Sequence, residues 1–389
     1  MPESAVAPYR QVITQTLPIV RKEMLSQPIR AEVVGSLLRP PPLVRARQAR
    51  AAGQLSATAF KAIEDRAVDI AIAAQEAAGM DVITDGELRR SIFTGPLTEN
   101  VDGLQYVPGV TRTWYTPDGP VEEELPVVVT ERLRLRRSAV TEEFTYARAR
   151  ARTPLKVTLP SPLMMLLRWS PNHSTSAYRD AFDMVADAAA IIREEVRELA
   201  ALGCTYIHID APEIATLVQR ETREWYERQG ISIDRILTEG LDLLNSVTGV
   251  PGVEFGIHLC RGNRNGRWMA AGGYDFVSAA LFTRCGGFDR FLLEYDDDRS
   301  GTFEPLSHTP SGKVVVLGLV STKTAVVESE DLILERLREA AKYVAPEQLA
   351  LSTQCGFASM VESHPDLTAD IQTAKLDLVR SAASAFWND

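Results

Sequence analysis

Short apolar segments rich in β-forming residues alternate with helical patterns along most of this chain, and this alternation restricts the possible folds strongly. We predict eight strands, at 31–38, 81–87, 155–160, 206–211, 254–260, 290–295, 313–320 and 349–354. Several are almost continuously apolar, which is typical of parallel strands covered by helices. Eight such strands with interleaved helices favour a (β/α)8 TIM barrel over an open doubly wound sheet.

The segments between the strands show the spacing of amphipathic helices. In 56–78 apolar residues recur every three or four positions, and Gly79 follows as a typical C-terminal stop. By the same criteria, further helices are predicted at 176–202, 232–247, 331–344 and 366–386. The predicted elements therefore fill most of the chain from residue 31 onward.

The domain organisation follows from this pattern. We predict an N-terminal arm at 1–30 and a single catalytic barrel at 31–389, a length that one barrel can reach. An insertion at about 103–152, after strand 2, breaks the rhythm, and 127–130, 133–135 and 143–146 are predicted to be strands of an inserted antiparallel β segment. At the mouth of a barrel, this insertion would either wall a site or form an oligomer contact.

Composition excludes several classes of protein. The formal net charge of −10 disfavours a nucleic-acid partner and an anionic membrane surface. We find no signal peptide and no apolar run long enough to span a membrane. Four cysteines in 389 residues are too few for a disulfide scaffold, so we expect a cytoplasmic protein with free thiols. An acidic run at 296–298 is interpreted as a solvated loop.

Three of the predicted strands end near residues that bind soft metal ions. His258 and Cys260 are two residues apart near the end of the fifth strand, so their side chains point to the same side. Glu294 lies at the end of the sixth strand, and Cys355 follows the eighth. In a barrel these strand ends face one shared mouth. One imidazole, two thiolates and one carboxylate form a ligand set that suits Zn²⁺.

The charge of this ligand set indicates what a bound zinc ion would do. Two thiolates and one carboxylate outweigh the charge of the ion, so the site is a weak Lewis acid for water. A substrate thiol held there would remain a thiolate at neutral pH. We therefore predict attack of a zinc-bound thiolate on an alkyl carbon. The alternatives are cysteines and a histidine that only pack in the core, and a closed structural zinc site.

At these four residues the chain resembles the cobalamin-independent methionine synthase family, specifically its C-terminal catalytic barrel. The zinc ligands of that family follow the order His-x-Cys, Glu, Cys, and the resemblance assigns them to His258, Cys260, Glu294 and Cys355. The resemblance extends over most of 30–389 and implies the barrel fold and a zinc cofactor.

The resemblance also implies a set of substrate-binding residues. Ser36 ends a Val-Gly-Ser segment similar to the family's Ile-Gly-Ser, which holds the carboxylate of the amino acid. Glu87 and Asp210 match carboxylates that contact the homocysteine amine, and two carboxylates suit an ammonium group. Trp169 precedes a serine, as in the Trp-Ser of the family where the folate ring lies.

The chain departs from the family's pattern in two motifs and in length. Asp210 is followed by Ala-Pro-Glu, ending at Glu213, where the family has Glu-Pro. At the end of the seventh strand, Ser-Thr-Lys, ending at Lys323, replaces an Asp-Ile-His whose histidine is a candidate proton donor. Lys323 therefore becomes the candidate substitute. The N-terminal half of longer members, which helps to hold the folate tail, has no counterpart here.

The resemblance implies a zinc-dependent S-methyltransferase that forms methionine from homocysteine or a related thiol. The methyl donor would be methyltetrahydrofolate or another small methyl carrier. Two alternatives stay open: a transferase that opens epoxides or moves alkyl groups with a different thiol, such as coenzyme M, and a non-catalytic zinc- or thiol-binding protein. A homo-oligomer is compatible with these features, whereas nucleic-acid and membrane partners are not expected.

Overall fold

The computed structural model describes residues 28–109, 111–124, 126–361 and 364–388, so most of the predicted N-terminal arm lies outside the described residues. The strands are Ala31–Glu32 (β1), Val101–Tyr106 (β2), Thr111–Thr116 (β3), Gly119–Glu124 (β4), Val127–Leu135 (β5), Val157–Pro160 (β6), Tyr206–Asp210 (β7), Glu254–Leu259 (β8), Arg290–Glu294 (β9), Val314–Val320 (β10) and Leu349–Thr353 (β11). The helices are Pro41–Ala51 (α1), Ala57–Ala77 (α2), Gly95–Thr98 (α3), Val140–Arg148 (α4), Ala181–Ala201 (α5), Pro212–Ala215 (α6), Arg220–Arg228 (α7), Ile233–Arg235 (α8), Leu241–Asn245 (α9), Asp275–Arg284 (α10), Glu330–Ala340 (α11) and Ala369–Trp387 (α12).

Seven of these strands form a curled parallel sheet in the order β1-β11-β10-β9-β8-β7-β6. The residues of β6, β7, β9 and β11 are all buried, as expected for short parallel strands between a core and covering helices. Because all seven strands run in the same direction, the C-terminal ends of the strands all lie at the same end of the sheet. The candidate site lies at this end.

The predicted second strand is much shorter than expected. Val82 makes a parallel bridge to Glu32 in β1, and Ile83 makes one to Leu155, just before β6, so the same two residues reach both edges of the sheet. The extended conformation does not continue, because Gly86 and Glu87 have φ angles of 74° and 55°. A complete barrel of eight regular strands stays a prediction.

The long predicted helices are present, with boundaries set by capping residues. The Ser56 hydroxyl accepts a hydrogen bond from the Ala59 N–H at the start of α2, and Asp180 caps the Phe182 N–H at the start of α5. Helix α5 therefore begins later than the sequence pattern suggested. The predicted helix at 232–247 is divided into α8, a π-helical turn at Ile236–Gly240, and α9.

The segment after the second strand contains two antiparallel pairs, β2 with β5 and β3 with β4. The predicted strands 127–130 and 133–135 are one strand, β5. The predicted strand at 143–146 is wrong, because these residues lie in α4. There Val140, Glu143, Phe144 and Ala147 are buried, and their spacing of three and four residues defines one face of a helix.

A buried ionic cluster lies inside the sheet, near the N-terminal ends of several strands. The carboxylate of Glu32 in β1 accepts hydrogen bonds from Lys156 Nζ at 2.7 Å and from Tyr206 Oη at 2.9 Å. Arg290 in β9 approaches the same carboxylate to 2.8 Å. The cluster connects four parts of the sheet at the end opposite to the candidate site. Within the described ranges, we find no helix that is both long enough and apolar enough to cross a lipid bilayer.

Candidate metal and substrate site

Two histidines and an aspartate meet at the C-terminal ends of β7 and β8. Asp210 and His258 are register partners in these neighbouring strands. The His258 Nδ1 atom lies 2.8 Å from Asp210 Oδ1, and His208 Nε2 lies 3.2 Å from the same oxygen. Nδ1 of His258 thus donates to a carboxylate, which orients the ring and leaves Nε2 as the atom able to bind a metal. Nε2 lies 3.3 Å from the carbonyl oxygen of Gln354.

Three donor groups converge beside this pair. The donor atoms of His258, Cys260 and Cys355 all lie within 4.8 Å of one another, and the two sulfurs are 3.9 Å apart. Cys260 directly follows β8, and Cys355 follows β11, so strand ends that are not adjacent in the sheet supply the ligands. The donor set of one imidazole and two thiols fits Zn²⁺. The structure thus brings together three of the four predicted ligands.

Buried charges determine the protonation of these groups. Burial on its own lowers the pKa of His258, but the interactions with Cys260 and Asp210 outweigh it and raise that pKa to about 9. The hydrogen bond with Cys355 and burial raise the pKa of Cys260 well above its ordinary value. For Asp210, burial opposes ionisation, but His208 and His258 hold its pKa far below the ordinary value. Asp210 is therefore an anion that supports the imidazole.

Glu294, the fourth predicted ligand, lies next to the cluster with both oxygens engaged. Oε1 accepts a hydrogen bond from Lys323 Nζ at 3.0 Å. Oε2 accepts from the Arg261 N–H at 2.7 Å and from Gln354 Nε2 at 3.0 Å. Arg261 and Gln354 are the chain neighbours of Cys260 and Cys355, so the carboxylate is hydrogen-bonded to the residues next to both candidate cysteine ligands. Burial opposes its charge, but Lys323 and Arg261 lower the pKa of Glu294 to about 2.

Lys323 is buried between two carboxylates. Its Nζ lies 3.0 Å from Glu294 Oε1 and 3.3 Å from Asp296 Oδ2. Burial lowers the pKa of Lys323, but the two carboxylates outweigh this and raise it. The side chain of Asp296 is fully buried, so the interpretation of this residue as part of a solvated loop is wrong. Lys323 is thus the counter-ion of Glu294.

Glu87 presents a free carboxylate oxygen near the cysteine and histidine cluster. Its Oε1 accepts a hydrogen bond from Thr158 Oγ1 at 2.7 Å, whereas Oε2 is buried without a partner among the described residues. Burial raises the pKa of this carboxyl group. Gly35 makes room for it, because a Cβ atom at that position would lie 2.4 Å from Oε1. The free oxygen is placed to accept a hydrogen bond from a ligand.

One open cavity joins these groups. Six of the predicted site residues line it, namely Ser36, Glu87, Asp210, His258, Cys260 and Cys355. Glu294 and Lys323 are not among the lining residues. Trp169 is also outside the lining: it belongs to the hydrophobic core, and its indole N–H donates to the carbonyl of Gln229 at 3.2 Å.

Further charged residues that sequence reasoning did not assign also line this cavity. Among them are Arg112 in β3, Arg168 at the end of the 3₁₀ helix Pro162–Arg168, and Glu213 in α6. Glu213 lies where the sequence departs from the family's pattern, and this departure was the only sequence signal for its place in the cavity. Nothing in the sequence distinguishes Arg112 and Arg168 from the many other arginines of the chain.

Comparisons with known proteins identify the family of this chain. The family model described as the catalytic domain of cobalamin-independent synthase matches residues 30–376. The chain is 31% identical to the Bacillus subtilis protein YxjG over 96% of this chain and 99% of that protein. It is 26% identical to a methionine synthase from Pyrococcus abyssi over 83% of this chain and 85% of that protein.

A solved structure shows the same fold. The B12-independent methionine synthase of a Shewanella species, in complex with selenomethionine, superposes with a TM-score of 0.69 at 19% identity, covering 92% of this chain and 97% of that one. Given the match over most of its length, this chain belongs to the family of the cobalamin-independent synthase catalytic domain.

Proposed function

We propose that this protein is a zinc-dependent methyltransferase that methylates homocysteine, or a related amino-acid thiol, to form methionine. The observation that carries the proposal is the convergence of His258, Cys260 and Cys355 within 4.8 Å, in a cavity that also presents Glu87 and Asp210. Zinc bound there would lower the pKa of the substrate thiol and keep it nucleophilic at neutral pH. Membership of the cobalamin-independent synthase family supports the same chemistry.

In this proposal, Asp210 orients the metal ligand and also faces the substrate. Its Oδ1 accepts from His258, while the cavity is open to the rest of the carboxylate. Glu87 Oε2, which has no partner among the described residues, would accept a hydrogen bond from the substrate ammonium group. Ser36 lines the same cavity and would hold the substrate carboxylate. This preference for an ammonium group favours an amino-acid thiol over a sulfonate such as coenzyme M.

Glu294 is proposed as the fourth metal ligand. To act in this way, one of its oxygens would have to give up a hydrogen bond to Arg261, Gln354 or Lys323. The amide of Arg261 and the side chain of Gln354 would then remain as groups that orient the carboxylate. Two of these partners, Arg261 and Gln354, are the chain neighbours of Cys260 and Cys355, which supports this assignment.

The proposed reaction forms a sulfur–methyl bond and breaks the bond between the methyl group and a nitrogen of the donor, for which we propose methyltetrahydrofolate or another small carrier. The proton lost by the thiol balances the proton that the donor nitrogen gains. Lys323 stays the predicted source of that proton, although its ion pairs with Glu294 and Asp296 mean that deprotonation would leave two buried carboxylates without a cation.

The site is proposed to occupy the mouth of a complete (β/α)8 barrel in which Val82 and Ile83 represent the eighth strand. The buried thiols of Cys260 and Cys355 are best preserved in a reducing compartment, which supports the expected cytoplasmic location. A homo-oligomer stays a prediction.

The test is S-methylation of L-homocysteine by the purified, zinc-loaded chain, with zinc content measured in parallel. We expect one zinc ion per chain, and we expect both zinc and methionine formation to be lost in Cys260→Ala and Cys355→Ala. The control is Cys285→Ala, because Cys285 is buried in the core away from this cavity. Stoichiometric zinc with no methyl transfer from any of several methyl donors would instead favour a non-catalytic zinc-binding protein.

A further inference from the structure

Glu213 in the wall of the cavity has a buried carboxyl group with no partner on either oxygen. The residue lines the cavity that contains the cysteine and histidine cluster, yet it is only 2% exposed. Among the residues that the structure describes, neither Oε1 nor Oε2 has a hydrogen-bond partner. Buried polar groups are ordinarily satisfied, so a carboxyl group in this situation points to a ligand that completes it.

Two other buried carboxylates of the site differ from Glu213, because each has a donor that stabilises its negative charge. Glu294 accepts a hydrogen bond from Lys323 Nζ at 3.0 Å. Asp210 accepts one from His258 at 2.8 Å. Within the described ranges, no cation and no N–H group donates to Glu213. Its surroundings therefore favour the neutral acid over the carboxylate.

The turn after β7 places Glu213 in the cavity wall. Asp210 ends this strand, and Pro212 begins the short helix α6, which contains Glu213 in its first turn. Helix α6 packs against β8 and against the 3₁₀ helix Pro162–Arg168. The imidazole of His258 in β8 is directed to Asp210. The acid thus lies three residues after the carboxylate proposed to contact the substrate amine.

Electrostatics supports a protonated carboxyl group. Burial raises the pKa of Glu213 to about 8, and the charge of Asp210 acts in the same direction. Tyr226 in α7 interacts with Glu213, and burial keeps the pKa of this phenol above its ordinary value, so it stays neutral. Arg112 and Arg168 line the same cavity, but within the described part of the chain neither donates a hydrogen bond to Glu213.

Methyl transfer from an amine requires an acid in the cavity. When a thiolate attacks the methyl carbon, the electron pair of the methyl–nitrogen bond stays on nitrogen, which is too basic to leave without a proton. Lys323, which the sequence predicted for this role, is outside the lining of the cavity and is held between Glu294 and Asp296. Glu213 lines the cavity and has no ion pair to give up.

We propose that Glu213, rather than Lys323, is the general acid that donates a proton to the leaving nitrogen of the methyl donor. This inference rests on the proposed function. The sulfur–methyl bond forms as the methyl–nitrogen bond breaks, and the carboxyl proton passes to nitrogen. Glu213 is left as a carboxylate and regains a proton from solvent, which receives the proton that the thiol loses. In sum, a thiol and an N-methyl amine give a methyl thioether and an N–H amine.

The test is methyl transfer from methyltetrahydrofolate to L-homocysteine by the zinc-loaded full chain, measured as kcat over a range of pH. General acid catalysis ordinarily contributes about 100- to 10,000-fold, so kcat of Glu213→Gln should fall by about 100-fold or more. In the wild type, kcat should decrease as the pH rises above about 8, because Glu213 then loses its proton. This decrease should be absent from Glu213→Gln.

Two variants and a second methyl donor separate acid catalysis from damage to the site. Glu213→Asp retains an acid and should keep part of the rate and the decrease at high pH. Glu124→Gln, the matched control, changes an exposed carboxylate that lines the same cavity and should behave as the wild type. Iodomethane needs no acid, because iodide leaves as a stable anion. Glu213→Gln should therefore methylate homocysteine with iodomethane at the wild-type rate.

Infrared difference spectroscopy provides a readout that does not depend on turnover. At neutral pH, the wild type should show the carbonyl stretch of a buried protonated carboxyl group that is missing from Glu213→Gln. This band should disappear from the wild type as the pH rises above about 8. Circular dichroism on the same samples checks that both proteins are folded.

Three results would each overturn the inference: a Glu213→Gln variant with the kcat and pH profile of the wild type, an ionised Glu213 at neutral pH, or a wild type that takes no methyl group from methyltetrahydrofolate. Iodomethane then decides the proposed function separately. If the zinc-loaded chain accelerates alkylation of homocysteine by iodomethane, thiol activation stands without the acid. If it does not, the proposed function fails as well.

Discussion

The hydrogen bond from His258 to Asp210 should control how tightly the site binds zinc. The Asp210 carboxylate is 2.8 Å from His258 Nδ1 and 3.2 Å from His208 Nε2, and all three side chains are buried. In Asp210→Ala, the imidazole loses the anion that fixes its orientation. Removal of such a partner ordinarily weakens metal binding by 10- to 100-fold, which corresponds to about 1.4 to 2.7 kcal/mol. We expect a loss of zinc affinity in this range.

Two further variants locate the cause of that loss. In Asp210→Asn, the amide oxygen can still accept from His258 Nδ1, so the loss should be smaller than in Asp210→Ala. Glu213→Gln alters a second buried carboxyl group of the cavity, which makes no hydrogen bond to a predicted ligand, and should leave zinc affinity within about 2-fold of the wild type.

The measurement is competition with a chromophoric zinc chelator at pH 7.5, without substrate, so that a role of Asp210 in amine binding does not contribute. Circular dichroism should first show that each variant is folded, because Asp210→Ala leaves two buried N–H groups without an acceptor. Unchanged zinc affinity in folded Asp210→Ala would refute the reasoning that this carboxylate supports a ligand at His258.

Three other perturbations test separate parts of the structure. Burial opposes the charge of Glu32, but Lys156 and Arg290 lower its pKa to about 2. Its ionisation therefore contributes stability above about pH 4.5, and this stability is lost as the pH falls toward 2. In urea titrations, Glu32→Gln should reduce the free energy of unfolding by about 3 kcal/mol at pH 7, and by progressively less below pH 4.5. Glu87→Gln should raise KM for L-homocysteine by about 30-fold, through loss of a charged hydrogen bond of roughly 2 kcal/mol, and equal KM values in variant and wild type would exclude Glu87 from amine binding. Gly35→Ala places a Cβ 2.4 Å from Glu87 Oε1 and should raise the same KM in a folded protein, whereas a normal KM would show that Glu87 does not need its present position.

Local patterns in the sequence were sufficient to predict the strand ends and the candidate ligands that lie on them. His258 and Cys260 lie near the end of one strand. A two-residue spacing places both side chains on the same side of that strand, independently of the rest of the fold. The apolar runs of β8, β9 and β11 predicted that Glu294 and Cys355 would lie at the same end of the sheet. These predictions depend only on neighbours in the chain and on the parallel arrangement.

The features that could not be predicted depend on contacts between distant residues. The engagement of Glu294 by Lys323 joins residues 29 positions apart, and its sequence signal is no different from that of any other charged pair. The shortening of the second strand follows from the positive φ angles of Gly86 and Glu87. The positive φ angle of Glu87 is unusual, because residues other than glycine rarely adopt it. Residues 143–146 satisfy both strand and helix patterns over so short a length, and packing of Phe144 against the core decides between them.

The central claim is that His258, Cys260 and Cys355, together with Glu294, hold one zinc ion that receives the substrate sulfur. Zinc K-edge X-ray absorption of the purified chain, with and without L-homocysteine, tests it most directly. We expect a first shell with two sulfur ligands at about 2.3 Å and lighter ligands at about 2.0 to 2.2 Å, and a third sulfur when the thiol is added. A zinc-loaded protein whose first shell contains no sulfur, or whose shell is unchanged by homocysteine, would contradict the account.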